Sequence, residues 1–369
     1  MNSNQTPVNS RERSPSAEPP ATSQPFLSVI IPVRNEARSL PGLLSALLEQ
    51  DYPAAAFEII VADGGSTDDT PAVVRQYAAA SATPVRLVEN PGVRSGAGRN
   101  AGLRAAAGEF IVFIDGHCNL PSRSLLSDTV RLFQETEAEC LCRPQPLLAP
   151  PSHPFGDSVA AVRASALGHG RDSLIYSLEK AGFVDPATSG ASYRRHVFDV
   201  IGSYDERFDA CEDMELNTRL RKSGMRAYTD PRLAVYYEPR ATLSSLAKQM
   251  IRYGRGRVRL MRKHPDCISA AQLAPSVLLV MVVLPLILLW TPMAPWMRLL
   301  ISAPALLYAA IVLIASLGLA RNGRPRLLYQ APAIFAVIHL ALGLGLFIEA
   351  AASLKSLWAR QPMMAAVKP

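Results

Sequence analysis

The sequence predicts an α/β fold built on a mostly parallel sheet, followed by an apolar helical region. Three patterns carry this reading. Apolar runs start at residues 27, 57, 85 and 108, with stretches of helical periodicity between them. Polar residues collect directly after those runs. Residues 272–352 are almost free of charge, and a segment with eight cations precedes them.

Residues 1–25 hold five Pro and five Ser without periodicity, which predicts a disordered tail. No apolar core follows its charged residues, so it does not read as a signal peptide. Residues 26–240 read as a soluble, mixed domain. LSVIIP (27–32) has the composition of a buried strand, with a helix expected at 39–50. FEIIVAD (57–63) is a second strand, and a helix runs through VVRQYAA. VRLVEN (85–90) and GEFIVFID (108–115) are the third and fourth. Strands alternating with helices imply parallel pairing, and ligands of such sheets bind at the carboxyl ends of the strands. Arg34, Asn35, Glu36, Asp63, Asp115 and His117 stand there.

The chain has 369 residues, 38 Lys and Arg against 31 Asp and Glu, and a net charge of +7. A basic chain suggests nucleic acid, but the excess is local. Residues 240–263 carry Arg240, Lys248, Arg252, Arg255, Arg257, Arg259, Arg262 and Lys263 and no acid, so the remainder is close to neutral. No nucleic-acid partner is expected. Five cysteines without a CxxC spacing in a long chain exclude a disulfide framework or a zinc ribbon. Cys140 and Cys142 would share one strand face as small buried thiols.

Residues 241–271 read as a basic amphipathic segment suited to anionic lipid. Within 272–352, Leu273–Trp290, Leu299–Ala320 and Leu328–Ile348 are each long enough to cross about 30 Å of hydrocarbon. Trp290 and Trp296 bracket the first link as interface anchors would. The basic segment and the link RNGRPR are expected on the cytoplasmic side, and TPMAPWMR outside. Three spans would put residues 353–369 outside, where Lys355, Arg360 and Lys368 fit poorly. Either that tail tolerates its position or the third segment is re-entrant.

LSVIIPVRNEARSL, EIIVADGGSTDDT, GAGRNAGLRAAAGEFIVFIDGH, GASYRRHVFDVIGSYDERFDACEDMELNTRLRKSG and QMIRYGRGR form an ordered set. In that order the set resembles the family 2 glycosyltransferases, inverting enzymes with the Rossmann-like glycosyltransferase A fold. It is most similar to the succinoglycan-biosynthesis type of bacterial membrane glycosyltransferase, which also carries Asp-x-His where most relatives have Asp-x-Asp. The resemblance covers residues 26–350.

The resemblance implies roles, and each residue also has a plain reading. Pro32, Val33 and Arg34 match the segment lining the nucleotide, with Glu36 a further contact; Arg34 and Glu36 also read as surface charges. Asp63 is either a strand-end cap or a contact to the base or ribose. The resemblance puts Arg99 and Asn100 near the donor diphosphate, while the glycines around them also suit helix–sheet packing. Asp115 and His117, two apart at a strand end, can reach one divalent cation; the alternative is a solvated turn. By resemblance Asp213 is the general base and Glu212 its neighbour on the acceptor side; otherwise they are an acidic helix start. Met214, Leu216 and Leu220 would form the apolar side of that helix. Gly190, Ala191 and Ser192 match an acceptor-side loop. Gln249, Arg252 and Tyr253 resemble the QxxRW signature, with Arg252 toward the diphosphate and Tyr253 near the acceptor.

The resemblance thus implies a nucleotide-sugar donor, UDP-linked by default, and a lipid-linked glycan acceptor in exopolysaccharide or cell-envelope synthesis. The imidazole of His117 favours Mn²⁺ over Mg²⁺, because Mg²⁺ prefers all-oxygen octahedral sites. The expected location is the bacterial inner membrane, multi-pass, with a cytoplasmic catalytic domain. The rival readings are a processive polysaccharide synthase and an inactive membrane scaffold with the same fold.

Overall fold

The computed structural model describes residues 24–364 apart from 151–152, 171–174, 188–189, 289 and 322, with side chains described as far as Lys355. The expected tail at 1–25 lies outside the described residues but for its last two, and the tail at 353–369 lies outside them from 365 onward.

The strands are β1 (Leu27–Val33), β2 (Phe57–Asp63), β3 (Val85–Glu89), β4 (Phe110–Phe113), β5 (Cys118–Asn119), β6 (Cys140–Cys142), β7 (Gly182–Val184), β8 (Gly190–Arg194), β9 (Ala227–Thr229) and β10 (Tyr236–Tyr237). Eight of them form one sheet in the order β3-β2-β1-β4-β8-β6-β9-β7, while β10 pairs antiparallel with β5. β3, β2, β1 and β4 run parallel, as their composition predicts. β1 and β2 are central and buried on both faces, so they read as unbroken apolar runs. β8 enters the middle of the sheet antiparallel to both β4 and β6.

The helices are α1 (Leu40–Leu48), α2 (Thr70–Ala80), α3 (Ser95–Ala105), α4 (Leu125–Thr136), α5 (Pro154–Ala164), α6 (Ala166–His169), α7 (His196–Ile201), α8 (Glu212–Lys222), α9 (Leu243–Lys263), α10 (Ala270–Leu288), α11 (Pro295–Arg321) and α12 (Leu327–Met364). One core lies between β1, β2, β4 and the helices α1 and α4. A second lies on the other sheet face, where Ile30, Ile60 and Phe113 meet Tyr193, Leu216 and Leu220. Cys140 and Cys142 are buried in this second core, on one strand face and in no disulfide. α3 is rich in small residues because it lies almost on the sheet: a Cβ on Gly102 would stand 2.3 Å from Ile30 Cγ2.

α10, α11 and α12 are each long and apolar enough to cross a membrane. α10 starts three residues before the first expected span, and α11 contains the second. α12 runs well beyond the third, because no Gly or Pro follows Ile348 until Pro362. Trp290 and Trp296 are fully or largely exposed at the α10–α11 link.

α9 differs from a helix resting on a lipid surface. Gly256 packs on Ala210 and Cys211, and Gly254 packs on α12. Many of its cations have partners: Arg252 meets Asp209, Lys263 meets Asp205 and Glu215, and Arg255 and Arg259 both meet Glu349. Charge that the sequence offers to lipid is therefore partly spent inside the protein.

The α3–β1 contact yields a stability test. Gly102→Ala should cost about 1–3 kcal/mol through overpacking against Ile30. Gly42→Ala, in α1 with no heavy atom within 4 Å of the new Cβ, should instead gain up to about 1 kcal/mol. Thermal or denaturant unfolding of the two variants in detergent separates them.

Candidate active site

The carboxyl ends of β1, β2 and β4 form an open end of the sheet, and the start of α8 stands opposite. The chain leaves β1 through Asn35, which takes the left-handed conformation with φ 57°. Its Oδ1 accepts from Thr67 N at 2.8 Å, and its own N–H donates to Ser66 Oγ at 2.8 Å. Asp63 caps the same turn by accepting from Ser66 N at 3.1 Å and Ser66 Oγ at 2.5 Å. These contacts fit the strand-end cap reading of Asp63. Gly64 cannot carry a side chain, because its Cβ would lie 2.7 Å from Val93 O. Val33 is buried, Pro32 half-buried, and Arg34 exposed.

β4 delivers Asp115 and His117. Asp115 Oδ1 accepts from Arg99 Nη2 at 3.0 Å, and Oδ2 accepts from Tyr237 OH at 2.7 Å. Burial opposes ionisation of Asp115, but the charges of Arg99 and His117 and the Tyr237 hydrogen bond outweigh it and hold the carboxyl below its usual range. His117 Nδ1 lies 3.3 Å from Glu36 Oε1. That hydrogen bond, helped by the nearby charge of Asp115, raises the imidazole above its ordinary value despite burial. Glu36 is lowered: burial pushes it up, and His117 with Ser39 pulls it further down.

Arg99 projects from α3 between the two sides of the site. Its Nη1 donates to Glu212 Oε1 at 2.5 Å while Nη2 holds Asp115. The guanidinium lies 5.4 Å from the Tyr204 ring centroid. It is thus committed to two carboxylates rather than free for a diphosphate. Asn100, the next residue, faces away. It is buried, donates to Tyr204 O and Glu206 Oε1, and accepts from Tyr204 N. A donor contact through its side chain does not fit this geometry; the amide holds the turn before α8.

That turn ends at Cys211, whose φ of 65° is left-handed and swings the chain into α8. Glu212 is buried, and Asp213 opens to solvent on the same recess. Protein surrounds Asp213 on its other sides, so it touches water yet is poorly hydrated. That poor hydration and the adjacent Glu212 charge push its carboxyl up to about 6. The buried side of α8 is more polar than expected. Leu216 and Leu220 are buried, but Met214 is only half-buried, and Glu215 is fully buried. Glu215 pairs with Arg219 at 2.8 Å and Lys263 at 2.8 Å and meets His264 at 3.0 Å, so it pins α8 to the end of α9.

Gly190, Ala191 and Ser192 belong to β8, not to a loop. Ala191 and Ser192 are buried in the sheet centre, and a Cβ on Gly190 would meet Asn217 Oδ1 at 2.5 Å. Their local composition resembles a loop; only the long-range pairing with β4 and β6 makes them a strand. On α9, Gln249 Nε2 donates to Tyr253 OH at 3.1 Å, and Arg252 Nη2 donates to Asp209 O at 2.8 Å, two residues before Cys211. Asn90 Oδ1, Arg99 Nε and Gln249 Oε1 are buried without hydrogen-bond partners among the described residues.

Glu36, Arg99, Asp115, His117 and Glu212 therefore form one connected cluster, with Asp213 beside it. Sequence reasoning missed Tyr204, Glu206 and Tyr237. It also missed Arg143, which is buried and donates to Phe113 O at the end of β4. An arginine directly after the apolar run CLC is a signal that was available for Arg143; Tyr237 carries none, since its role depends on the β5–β10 pairing.

The chain matches the family model described as glycosyl transferase family 2 over residues 28–202. It is 31% identical over 255 residues to the succinoglycan biosynthesis protein ExoA of Rhizobium meliloti (strain 1021), covering 67% of this chain and 73% of that protein. It is 26% identical over 246 residues to a dolichyl N-acetyl-alpha-D-glucosaminyl phosphate 3-beta-D-2,3-diacetamido-2,3-dideoxy-beta-D-glucuronosyltransferase of Methanococcus voltae, covering 64% and 74%. Its fold is similar to that of mannosyltransferase PcManGT from Pyrobaculum calidifontis, solved with GDP-Man and Mn²⁺. There the TM-score is 0.54, the identity 23%, and the coverage 92% of this chain and 89% of that one.

Arg99 gives the site its own stability test. Arg99→Met leaves two largely buried carboxylates without their counter-charge, which should cost about 3–5 kcal/mol. Without the cation, burial is left to raise the Asp115 carboxyl. The loss should then be full at neutral pH and shrink as pH falls and it protonates. An unfolding series against pH, with the wild type alongside, measures both features.

Proposed function

Because the chain belongs to glycosyl transferase family 2, we propose that it moves a sugar from a nucleotide diphosphate sugar to a lipid-linked glycan acceptor, with inversion. The observation that carries this reading is the cluster in which Arg99 ties Asp115 to Glu212, next to Asp213. Asp213 takes the proton of an acceptor hydroxyl. The hydroxyl oxygen forms its bond to the anomeric carbon as the carbon–phosphate oxygen bond breaks, and the nucleoside diphosphate leaves with the electron pair. One displacement inverts the configuration. A carboxyl raised to about 6 is still largely ionised at neutral pH and is a stronger base than an ordinary aspartate.

The donor set suits a divalent cation. Asp115 and His117 are two protein ligands, and among the described residues no group of three His, Cys, Asp or Glu converges as a closed cage. Two ligands suffice for an ion that takes its remaining positions from phosphate oxygens and water. Such a cation would neutralise charge on the departing diphosphate. Glu36 occupies the Nδ1 side of His117 and orients the ring, leaving Nε2 for the ion. The fold-relative was solved with GDP-Man and Mn²⁺, a nucleotide sugar together with a divalent cation. UDP is the donor nucleotide this reading assigns. Asp63, Pro32, Val33 and Arg34 line its route beside β1 and β2, and Gln249, Arg252 and Tyr253 approach from α9. The acceptor is assigned to lipid because α9 ties the site to three apolar helices. The membrane is the bacterial inner membrane, with the catalytic domain in the cytoplasm and residues 26–240 as its boundary.

Two experiments test this. Asp213→Asn keeps the shape but removes the base, so turnover should fall by about 10²–10⁴-fold with donor Kd nearly unchanged. Asp115→Asn should weaken donor binding itself. A wild-type acid limb in kcat near pH 6 accompanies this, because turnover is lost as Asp213 protonates. An Asp213→Asn protein with near-normal turnover would remove the base assignment and leave only a helix-start acid. For the ion, Mn²⁺ should support more activity than Mg²⁺, and His117→Asp should narrow the difference. Equal rates in EDTA and in Mn²⁺ would contradict an essential ion at His117.

A further inference from the structure

Two arginines beside the recess, Arg163 and Arg257, have no counter-charge. Arg163 stands in the last turn of α5 and is only 9% exposed. Among the described residues it has neither a hydrogen-bond acceptor nor an ion pair. An aromatic face is what touches it. Its guanidinium carbon lies 5.6 Å from the Tyr176 ring centroid, and the His169 ring centroid is 4.9 Å from that of Tyr176. Such a contact aims a guanidinium without neutralising it. A buried charge is costly unless an opposite charge compensates it. Arg257 belongs to α9. Of the five arginines of that helix, Arg252, Arg255 and Arg259 meet carboxylates and Arg262 donates to Ser353. Arg257, the fifth, has no such partner among the described residues.

The two arginines come from facing helices. Leu246, Met250, Tyr253 and Arg257 recur at three- and four-residue spacing, so they share one face of α9. Leu246 and Met250 pack in one cluster with Val159 and Val162 of α5, and Tyr253 packs against it. Arg163 follows Val159 by one helical turn. Ile334, Ile338 and Leu342 of α12 belong to the same cluster. The arginines thus stand where the apolar helices meet the part of the chain that carries the sheet.

The neighbouring groups feel both cations. Burial and the charges of Arg163 and Arg257 push the His169 imidazole down to about 4, so at pH 7 it adds no third cation. Tyr253 links this space to the recess. Its hydroxyl accepts from Gln249 Nε2 at 3.1 Å, which leaves its own proton to donate. Burial pushes this phenol up, Arg163 pulls it down and Asp213 adds to the rise, so both charges reach it. Cys211 Sγ lies 3.8 Å from Tyr253 O, two residues before Asp213.

We propose that Arg163 and Arg257 form an anion subsite for the phosphate that joins a glycan to its lipid carrier, with Tyr253 as a further donor. This rests on the reading of the chain as a transferase with a lipid-linked acceptor, and it names the contact to the charged part of that acceptor. The donor diphosphate is assigned to the cation site at Asp115 and His117, which leaves this subsite to the acceptor. A phosphate ester held here directs its lipid chain to the apolar helices and its sugar toward Asp213.

Binding to the full chain in detergent, in EDTA and without donor, tests the subsite apart from any transfer. Farnesyl diphosphate should bind. Farnesol lacks the charge and inorganic pyrophosphate lacks the apolar chain, so each should bind at least about tenfold more weakly. Arg163→Gln and Arg257→Gln should each weaken farnesyl diphosphate binding by about tenfold or more. Lys248→Gln removes an exposed cation from another face of α9 and should change it by less than about twofold. UDP binding in Mn²⁺ should be the same in Arg163→Gln and wild type. Arg257 is only half-buried, so its variant decides the question if Arg163→Gln does not fold. Unchanged farnesyl diphosphate binding in the arginine variants would overturn the subsite. Farnesol or pyrophosphate binding as tightly as farnesyl diphosphate would overturn its assignment to a lipid phosphate. A loss for UDP as large as that for farnesyl diphosphate would move Arg163 to the donor and also overturn it. No sugar moves in these measurements, so their failure leaves the Asp213 tests standing, and failure of the Asp213 tests leaves these readable.

Discussion

One guanidinium joins the two halves of the site. Arg99 reaches across from α3 to hold Asp115 with one nitrogen and Glu212 with another. Asp115 follows a parallel strand, β4, whose position the buried core dictates. Glu212 opens a helix more than a hundred residues after Arg99, following a left-handed turn at Cys211. Without the cation, three carboxylates within one recess would repel each other. With it, Asp115 stays ionised and Asp213 is left as the one acid raised toward neutrality. That division into a low acid and a high one is what a cation site beside a proton acceptor requires.

The recess is also tied to the apolar helices through α9. Gly256 brings this helix onto Ala210 and Cys211, and Gly254 brings α12 onto its other side. Arg252 donates to Asp209 O, and Glu215 receives Lys263. The turn that carries Glu212 and Asp213 is therefore fixed by packing and not by its own sequence. α12, bound by Glu349 and by apolar stripes, supports α9 from below.

Much of the fold was legible in the sequence. β1, β2, β3 and β4 are short unbroken apolar runs, and burial on both faces produces that pattern directly. Asp115, His117 and Glu212 were legible because strand ends and helix starts are where a chain can offer charge. β8 was not, since Gly190, Ala191 and Ser192 become a strand only by pairing with Val112 and Leu141, which are distant in the chain. Asn100 was misplaced for the same reason: its partners Tyr204 and Glu206 lie far along the sequence. α12 shows a different limit. Hydropathy records that a residue avoids water; it does not record whether lipid or α9 is its neighbour.

The proposed chemistry is a single displacement in the recess between Asp115 and Asp213, and product stereochemistry reports it most directly. The purified protein would be given a nucleotide sugar of known anomeric configuration and a lipid-linked acceptor, and the new linkage read by NMR. The account predicts that the configuration is inverted, an α-linked donor giving a β-linked product. A product that retains the donor configuration would contradict it, because retention needs a second displacement that Asp213 acting as base does not provide.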